Sequence, residues 1–438
     1  MKKISFNQGA LWFALLMALI AIGAWIAGSL NITGICLILT CLALSYGVKV
    51  FQPTKGLSFT MWILASVCIA MFFPQYFTVW GSFKLNSLVT PLLQIIMFGM
   101  GAQMSLNDFA GVMKRPGTVA AGVIGRFTIG PLLALALIAI FKPLMPAMDA
   151  ATQGLIIGGI FLVAVLPCGL ASNVMNMLAN ANLALAVTIG ATTTLLAPFT
   201  VPFLMKLFAS DYVPDLNIWK MMFDIFKMVI FPIIAGFVFN MFNLNKEGLK
   251  AKITQLSSFL AVIVFASLLG LKAPGDFVYF KQVAIFISIF LIAPAVVGYL
   301  LNLQFKGDQK LVKVVLGKLS QFGIFTIVLV ITAAGQKELM AAGGVLVTLV
   351  ILHNVLGYGC GYGLGWVCRL NETDRRTFAF EVGMPNAGLG TGLAVAFGSV
   401  AGVIGLASAI YGPVMNIFGS TLASIWKGIP PKELRIKN

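Results

Sequence analysis

Apolar runs of about 20 residues recur along nearly the whole chain, broken only by short polar links. A helix of that length crosses the ~30 Å hydrocarbon layer of a bilayer. Read in order, the runs predict about 14 membrane segments. They fall near 10–29, 32–50, 57–76, 88–106 and 116–141, then a broken one at 151–180 and one at 183–206. After a polar link come 221–243, 253–271, 281–303, 314–335 and 341–368, a broken one at 374–398, and 401–425. The link, S-D-Y-V-P-D-L-N-I-W-K from Ser210 to Lys220, separates two halves with one broken segment each. Paired interruptions of this kind mark inverted-repeat transporters, whose sites lie between the repeats at mid-membrane.

The second break, E-V-G-M-P-N-A-G-L-G-T from Glu381 to Thr391, joins a carboxylate to a proline, an asparagine and three glycines. A charge at membrane depth is costly and usually functional. Proline and glycine open the helix there, and the freed carbonyls need partners. The first break, Leu166 to Asn182, opens at Pro167 and Gly169 and then supplies Ser172, Asn173 and Asn176. The half-helix N-terminus after such a break suits an anion, and the released carbonyls suit a cation. A proline kink relieved by Ser and Asn hydrogen bonds is the alternative for either segment alone.

Composition agrees with the pattern. Of 438 residues 60% are hydrophobic and 10% charged, with mean hydropathy +1.00; no soluble globular domain looks like this. The net charge of +16 does not point to nucleic acid. Its basic residues sit in alternate short loops: Lys2/Lys3, Lys49/Lys55, Lys114/Arg115, Lys246/Lys250/Lys252, Lys306/Lys310/Lys313, Arg369/Arg375/Arg376 and Lys427/Lys432/Arg435/Lys437. The intervening loops carry Lys84, Lys142, Lys272 and Lys337. That bias places both termini in the cytoplasm, in an inner (plasma) membrane, and requires an even number of spans. The start M-K-K-I-S-F-N-Q before an apolar run reads as a retained first helix, because a second run follows at once. Six cysteines without a CxxC read as small core residues.

Two charges lie deep. Glu381 follows the loop charges Asp374, Arg375 and Arg376 and lies about 8–10 Å into its span; snorkelling to water is the alternative. Arg126 lies about 15 Å along a segment that begins at Pro116. A buried guanidinium needs a counter-charge, and the expectation is an Arg126–Glu381 pair or shared network. His353, the single histidine, reads as a hydrogen-bonded core residue, with a proton relay the minority option. G-Y-G-C-G-Y-G-L-G from Gly357 reads as close helix packing, not a dinucleotide loop, because no strand precedes it. No H-E-x-x-H, P-loop or G-x-S-x-G is present, so no enzyme chemistry is expected.

A set of motifs in one order is similar to the bile acid:sodium symporter family. They are M-F-G-M-G (Met97–Gly101), A-S-N-V-M-x-x-L-A-x-x-N-x-A-L (Ala171–Leu185), L-L-A-P-F-T-V-P (Leu195–Pro202), F-P-I-I-A-G-F-V-F-N (Phe231–Asn240), H-N-V-L-G-Y-G-x-G (His353–Gly361) and E-V-G-M-P-N-A-G-L-G (Glu381–Gly390). The resemblance implies an all-α polytopic membrane protein of inverted five-helix repeats, a panel domain on a core domain with two crossed broken helices. It implies alternating-access uptake of an organic anion, bile-acid-like or a small carboxylate, coupled to sodium. On that frame residues 1–52 form an added N-terminal hairpin, 53–208 the first repeat, 209–425 the second with two extra helices at about 245–312, and 426–438 a cytoplasmic tail. The oligomeric state is not implied.

The family's ion sites carry over in part. One sodium site resembles Ser172, Asn173 and Glu381; its two hydroxyl positions match Ala186 and Gly190, with Thr188, Thr192 and Thr193 near. The other uses Glu381, the carbonyls around Val382 and Met384, and two glutamines, which match Arg126 and Pro385. Arginine offers only donors and proline no side-chain oxygen, whereas sodium wants oxygen ligands. The expectation is that the Arg126 guanidinium replaces the second ion and that sodium coupling is reduced or absent. Substrate contacts are expected from Asn173, Asn176, Asn386 and Gly388. The alternative function is a cation/proton antiporter using Glu381.

Overall fold

The computed structural model describes residues 5–51, 57–104, 114–145, 149–213, 216–243, 288–305, 309–429 and 431. Apart from one two-residue β-hairpin (β1, Val79–Trp80; β2, Phe83–Lys84), the regular elements are helical. Eight helices among the described residues are long and apolar enough to cross a membrane, and four shorter apolar helices accompany them. The protein is thus an all-α polytopic membrane protein. The expected segment at 253–271 and most of the added stretch at 245–312 lie outside the described residues.

The N-terminal hairpin comprises α1 (Phe6–Ile26) and α2 (Leu30–Gly47). Ser5 starts α1 with a capping box: its hydroxyl accepts from the Gln8 N–H at 3.3 Å, and the Gln8 side chain accepts from the Ser5 N–H at 3.0 Å. Most of α1 is exposed, Trp12 and Trp25 included, which suits contact with lipid. The inner helix α2 packs on α3 (Ser58–Phe72). Cys41 and Cys68 meet side chain to side chain across that seam, both as free thiols. Oxidation with copper phenanthroline is therefore expected to form an intramolecular Cys41–Cys68 disulfide, lost in Cys41→Ser and read by peptide mass spectrometry.

The core follows: α4 (Val89–Gly101), α5 (Pro116–Phe141), α6 (Ala150–Val165), α7 (Leu170–Leu178) and α8 (Leu183–Ala209). Pro116 opens α5 at its first turn, where its missing N–H costs nothing. Beyond the polar link come α9 (Ile218–Ile225) and α10 (Phe231–Asn243), joined through a π-helical turn. After these lie α11 (Ala293–Phe305), α12 (Gln309–Ala334), α13 (Gln336–Val367), α14 (Glu372–Gly383), α15 (Ala387–Leu393) and α16 (Ala401–Lys427).

Both expected breaks are present. Helix α6 stops at Val165 and α7 resumes at Leu170; α14 stops at Gly383 and α15 resumes at Ala387. The two extended stretches cross antiparallel at Cys168 and Pro385. The Gly169 N–H donates to the Met384 carbonyl at 2.9 Å, and the Asn386 N–H donates to the Pro167 carbonyl at 2.8 Å. Each break thus satisfies backbone groups that the other has freed, which lets both exist without water. A Cβ on Gly169 would lie 2.9 Å from the Pro385 carbonyl oxygen. Gly169→Ala is expected to force the crossing apart, at a cost of about 1–3 kcal/mol, with a matching fall in the melting temperature of the purified protein. The glycine run on α13 serves close packing: a Cβ on Gly361 would collide with the Phe378 carbonyl of α14.

One expectation needs correcting. Asp374 and Arg376 are not loop charges: they lie in the first turns of α14 and are buried. Asp374 meets Arg115 at 2.7 Å and the Asn182 amide at 2.8 Å. Arg376 pairs with Glu372 at 2.9 Å and donates to the carbonyls of Ala179, Trp426 and Ile429. These contacts tie the ends of α5, α7 and α16 to the start of α14.

Candidate functional site

Arg126 points from the middle of α5 into the crossing and is fully buried. Its Nε donates to the Leu166 carbonyl at 2.8 Å, and Nη1 donates to the Val382 carbonyl at 2.7 Å. Nη2 donates to the carbonyls of Val163 at 3.2 Å and Ala164 at 3.1 Å. These carbonyls end α6 and α14, so one cation meets the negative ends of both half-helix dipoles. The expected Arg126–Glu381 ion pair does not form: neither ion pair found on α14 among the described residues involves Arg126. The link is one peptide long, because Arg126 holds the carbonyl of Val382, the residue after Glu381. The physical reason is that a planar fork of five donors is better matched by four converging carbonyls than by one carboxylate.

Glu381 is also fully buried. Its Oε1 accepts from the Asn176 amide at 3.0 Å, while its Oε2 has no hydrogen-bond partner. Ser172 and Cys168 flank the carboxylate, and Gly190 of α8 faces Oε2. Asn176 Oδ1, on the amide that bonds Glu381, is also unpartnered, as is Asn173 Oδ1 one turn earlier on α7. Asn176 donates as well to the Ser172 carbonyl at 2.9 Å, and the Ser172 hydroxyl donates to the Gly169 carbonyl at 2.7 Å. Burying an acceptor without a partner costs roughly 1–3 kcal/mol. A carboxylate oxygen and an adjoining amide oxygen, both without a donor, are the ligand type of a hard cation such as sodium.

The carbonyls expected to bind a second ion are already engaged, Val382 by Arg126 and Met384 by Gly169. Pro385 contributes to the crossing through its backbone alone. Of the candidate threonines on α8, Thr193 reaches the first break, its hydroxyl accepting from the Cys168 N–H at 3.3 Å. Asn386 caps α15 by accepting from the Leu389 N–H at 3.0 Å. Asn386 and Gly388 line a cavity of about 250 Å³ together with Gly169, Ala171, Met97 and Asn416. Asn173 and Asn176 are not among that cavity's lining residues; Asn176 bonds Glu381 instead.

Three residues supporting the second break went unassigned or half-assigned in the sequence. The Asn354 amide donates to the Gly383 carbonyl at 2.8 Å, and the Tyr411 hydroxyl lies 3.4 Å from that oxygen. His353 joins Tyr411 at 3.0 Å to the Gly130 carbonyl at 3.0 Å, a buried structural bridge between α16 and α5. With Cys168 bonded to the Glu381 carbonyl at 3.2 Å, the carbonyls of Glu381, Val382, Gly383 and Met384 all have partners. The available signal was a polar His–Asn pair inside an apolar run.

Two helices broken at mid-span and crossed inside a bundle of apolar helices, with a buried cation and a carboxylate at the crossing, define a membrane transport protein of the crossed-helix kind. Comparison with known proteins makes this specific. The model of the sodium bile acid symporter family matches residues 90–273. An uncharacterized sodium-dependent transporter of Bacillus subtilis (strain 168) is 31% identical over 89% of this chain and 98% of its own length. A probable chloroplastic sodium/metabolite cotransporter (BASS1) of Oryza sativa subsp. japonica is 24% identical over 86% of this chain and 74% of its own. The ileal sodium/bile acid cotransporter of Homo sapiens is 26% identical over 50% of this chain and 62% of its own. The chain belongs to the sodium bile acid symporter family, a family of sodium-coupled transporters; it is not an enzyme.

Proposed function

We propose that the protein is a secondary transporter that takes up an organic anion, bile-acid-like or a small carboxylate, by alternating access. The sodium-dependent names of the relatives favour retained coupling over its expected loss: uptake is coupled to one sodium at Glu381, Asn173, Asn176 and Ser172, and Arg126 stands permanently where a second ion would sit. The observation that carries this reading is the contrast between the two buried groups. Arg126 saturates the carbonyl ends of α6 and α14, while Glu381 Oε2 and the two asparagine oxygens are left for a cation. The N-terminus of α7 opens on the cavity lined by Gly169, Asn386 and Gly388, which suits a carboxylate. The antiporter alternative draws no support from the relatives, which are cotransporters by name.

On this reading residues 53–208 and 209–425 are the two inverted repeats, with the added hairpin before them and the tail from 426 after. The basic-loop bias supports cytoplasmic termini in a plasma membrane. The test is uptake of a panel of labelled organic acids into liposomes holding the purified protein, with sodium or choline outside. Sodium-stimulated uptake of an acid is expected. Equal uptake in choline overturns the coupling, and no uptake of any acid overturns the substrate class.

A further inference from the structure

A second cavity, of about 720 Å³, lies between the end of α2, the start of α3 and the middle of α12. It is lined by Lys49 from the 3-10 turn Val48–Val50 that follows α2, by Phe59 and Trp62 from α3, and by Lys318, Phe322 and Phe325 from α12. No acidic residue lines it, and neither lysine takes part in an ion pair among the described residues. Lys49 lies 4.9 Å from the centre of the Tyr46 ring, and Trp62 meets Phe325 edge to face at 6.1 Å. The walls therefore combine two exposed ammonium groups with an aromatic surface. That chemistry recognises a molecule with an acidic head and an apolar body. Phe59 also lines the cavity beside the crossing, and Phe325 follows Ile324, which lines it too. The two spaces thus share Phe59 and reach neighbouring residues of α12.

We propose that this cavity binds an amphipathic organic anion, head group between Lys49 and Lys318 and apolar body on Trp62, Phe322 and Phe325, as the cytoplasmic-side station that the anion reaches on leaving the central cavity. The proposal rests on the organic-anion reading above and gives the N-terminal hairpin a role in transport, because the turn that ends the hairpin supplies one of the two charges. An anionic phospholipid offers the same chemistry from a different source. The experiment measures thermal stabilisation of the purified full-length protein by cholate and, separately, by dihexanoyl phosphatidylglycerol. It uses the wild type, K49Q/K318Q and K49R/K318R. Both lysines are exposed, so neither double variant should unfold the protein.

Cholate is expected to stabilise the wild type, with its half-saturating concentration raised about 10-fold by the glutamines, which remove two charge contacts, and restored by the arginines. A response confined to phosphatidylglycerol keeps the site and overturns its place on the transport path. Equal half-saturation in wild type and K49Q/K318Q, or no response to either probe, overturns the site. Failure of uptake in liposomes alongside lysine-dependent cholate binding would instead sink the transport reading alone.

Discussion

Replacing Arg126 by glutamine is expected to add a second sodium to the transport cycle. The guanidinium now occupies four carbonyls at the ends of α6 and α14. Glutamine removes the fixed charge and supplies an amide oxygen, the ligand type a hard cation takes. The Val382 carbonyl and the nearby Glu381 carboxylate would complete the set. The measurement is the ratio of radiosodium to substrate flux in proteoliposomes, with the steepness of the sodium dependence as a second readout. Arg126→Met is the control. It leaves the same carbonyls without a donor and offers no oxygen in return. Each carbonyl left unpaired costs about 1–3 kcal/mol, so Arg126→Met should be strongly destabilised and sodium should not rescue it. Sodium should instead stabilise Arg126→Gln against heat, by binding the folded state. An Arg126→Gln protein with wild-type flux ratio and no stabilisation by sodium would show that the arginine is structural only.

Glu381→Gln is expected to lower sodium-driven uptake about 100-fold, equivalent to roughly 3 kcal/mol of lost ion binding at 1.4 kcal/mol per decade. Glu381 supplies the one full negative charge in the group of buried oxygens; its neighbours Asn173 and Asn176 offer neutral amides. The substitution keeps the size of the side chain and an acceptor for the Asn176 amide, which bonds Oε1 at 3.0 Å, so the fold should persist. The loss should lie in the sodium concentration needed for half-maximal uptake before it appears in the substrate's. Uptake by Glu381→Gln that is still sodium-stimulated at the original concentration would exclude the carboxylate as the ion's ligand.

Much of the site could be read from the residues because membrane depth makes polar groups expensive. Pro167, Gly169 and Pro385 inside apolar runs announced both breaks, and the structure places breaks at those positions. Glu381 and Arg126 stood out as deep charges, and both are fully buried. Of the expected Arg126–Glu381 pair or shared network, the direct pair does not form and the link runs through the Val382 peptide. A charge invites a search for an opposite charge, and the sequence shows side chains only. The groups that neutralise Arg126 are backbone carbonyls, which every residue carries and no residue type reveals. Asp374 and Arg376 were misplaced for a related reason: in sequence a buried ion-pair cluster at a helix start looks like a charged loop.

The sequence by itself determined the class of protein, the two breaks and the cost of Glu381 and Arg126, because hydrophobic length, proline and buried charge are local properties of the chain. Only the tertiary structure decided what those residues do. Crossing the breaks brought Leu166 and Val382 to one guanidinium. The crossing also left Glu381, Asn173 and Asn176 with free oxygens, and α13 and α16 came to hold the Gly383 carbonyl through Asn354 and Tyr411. Hydrogen bonds to freed carbonyls depend on distance and direction across 28 to 256 positions of sequence, and no pattern along the chain encodes which carbonyl will face which donor.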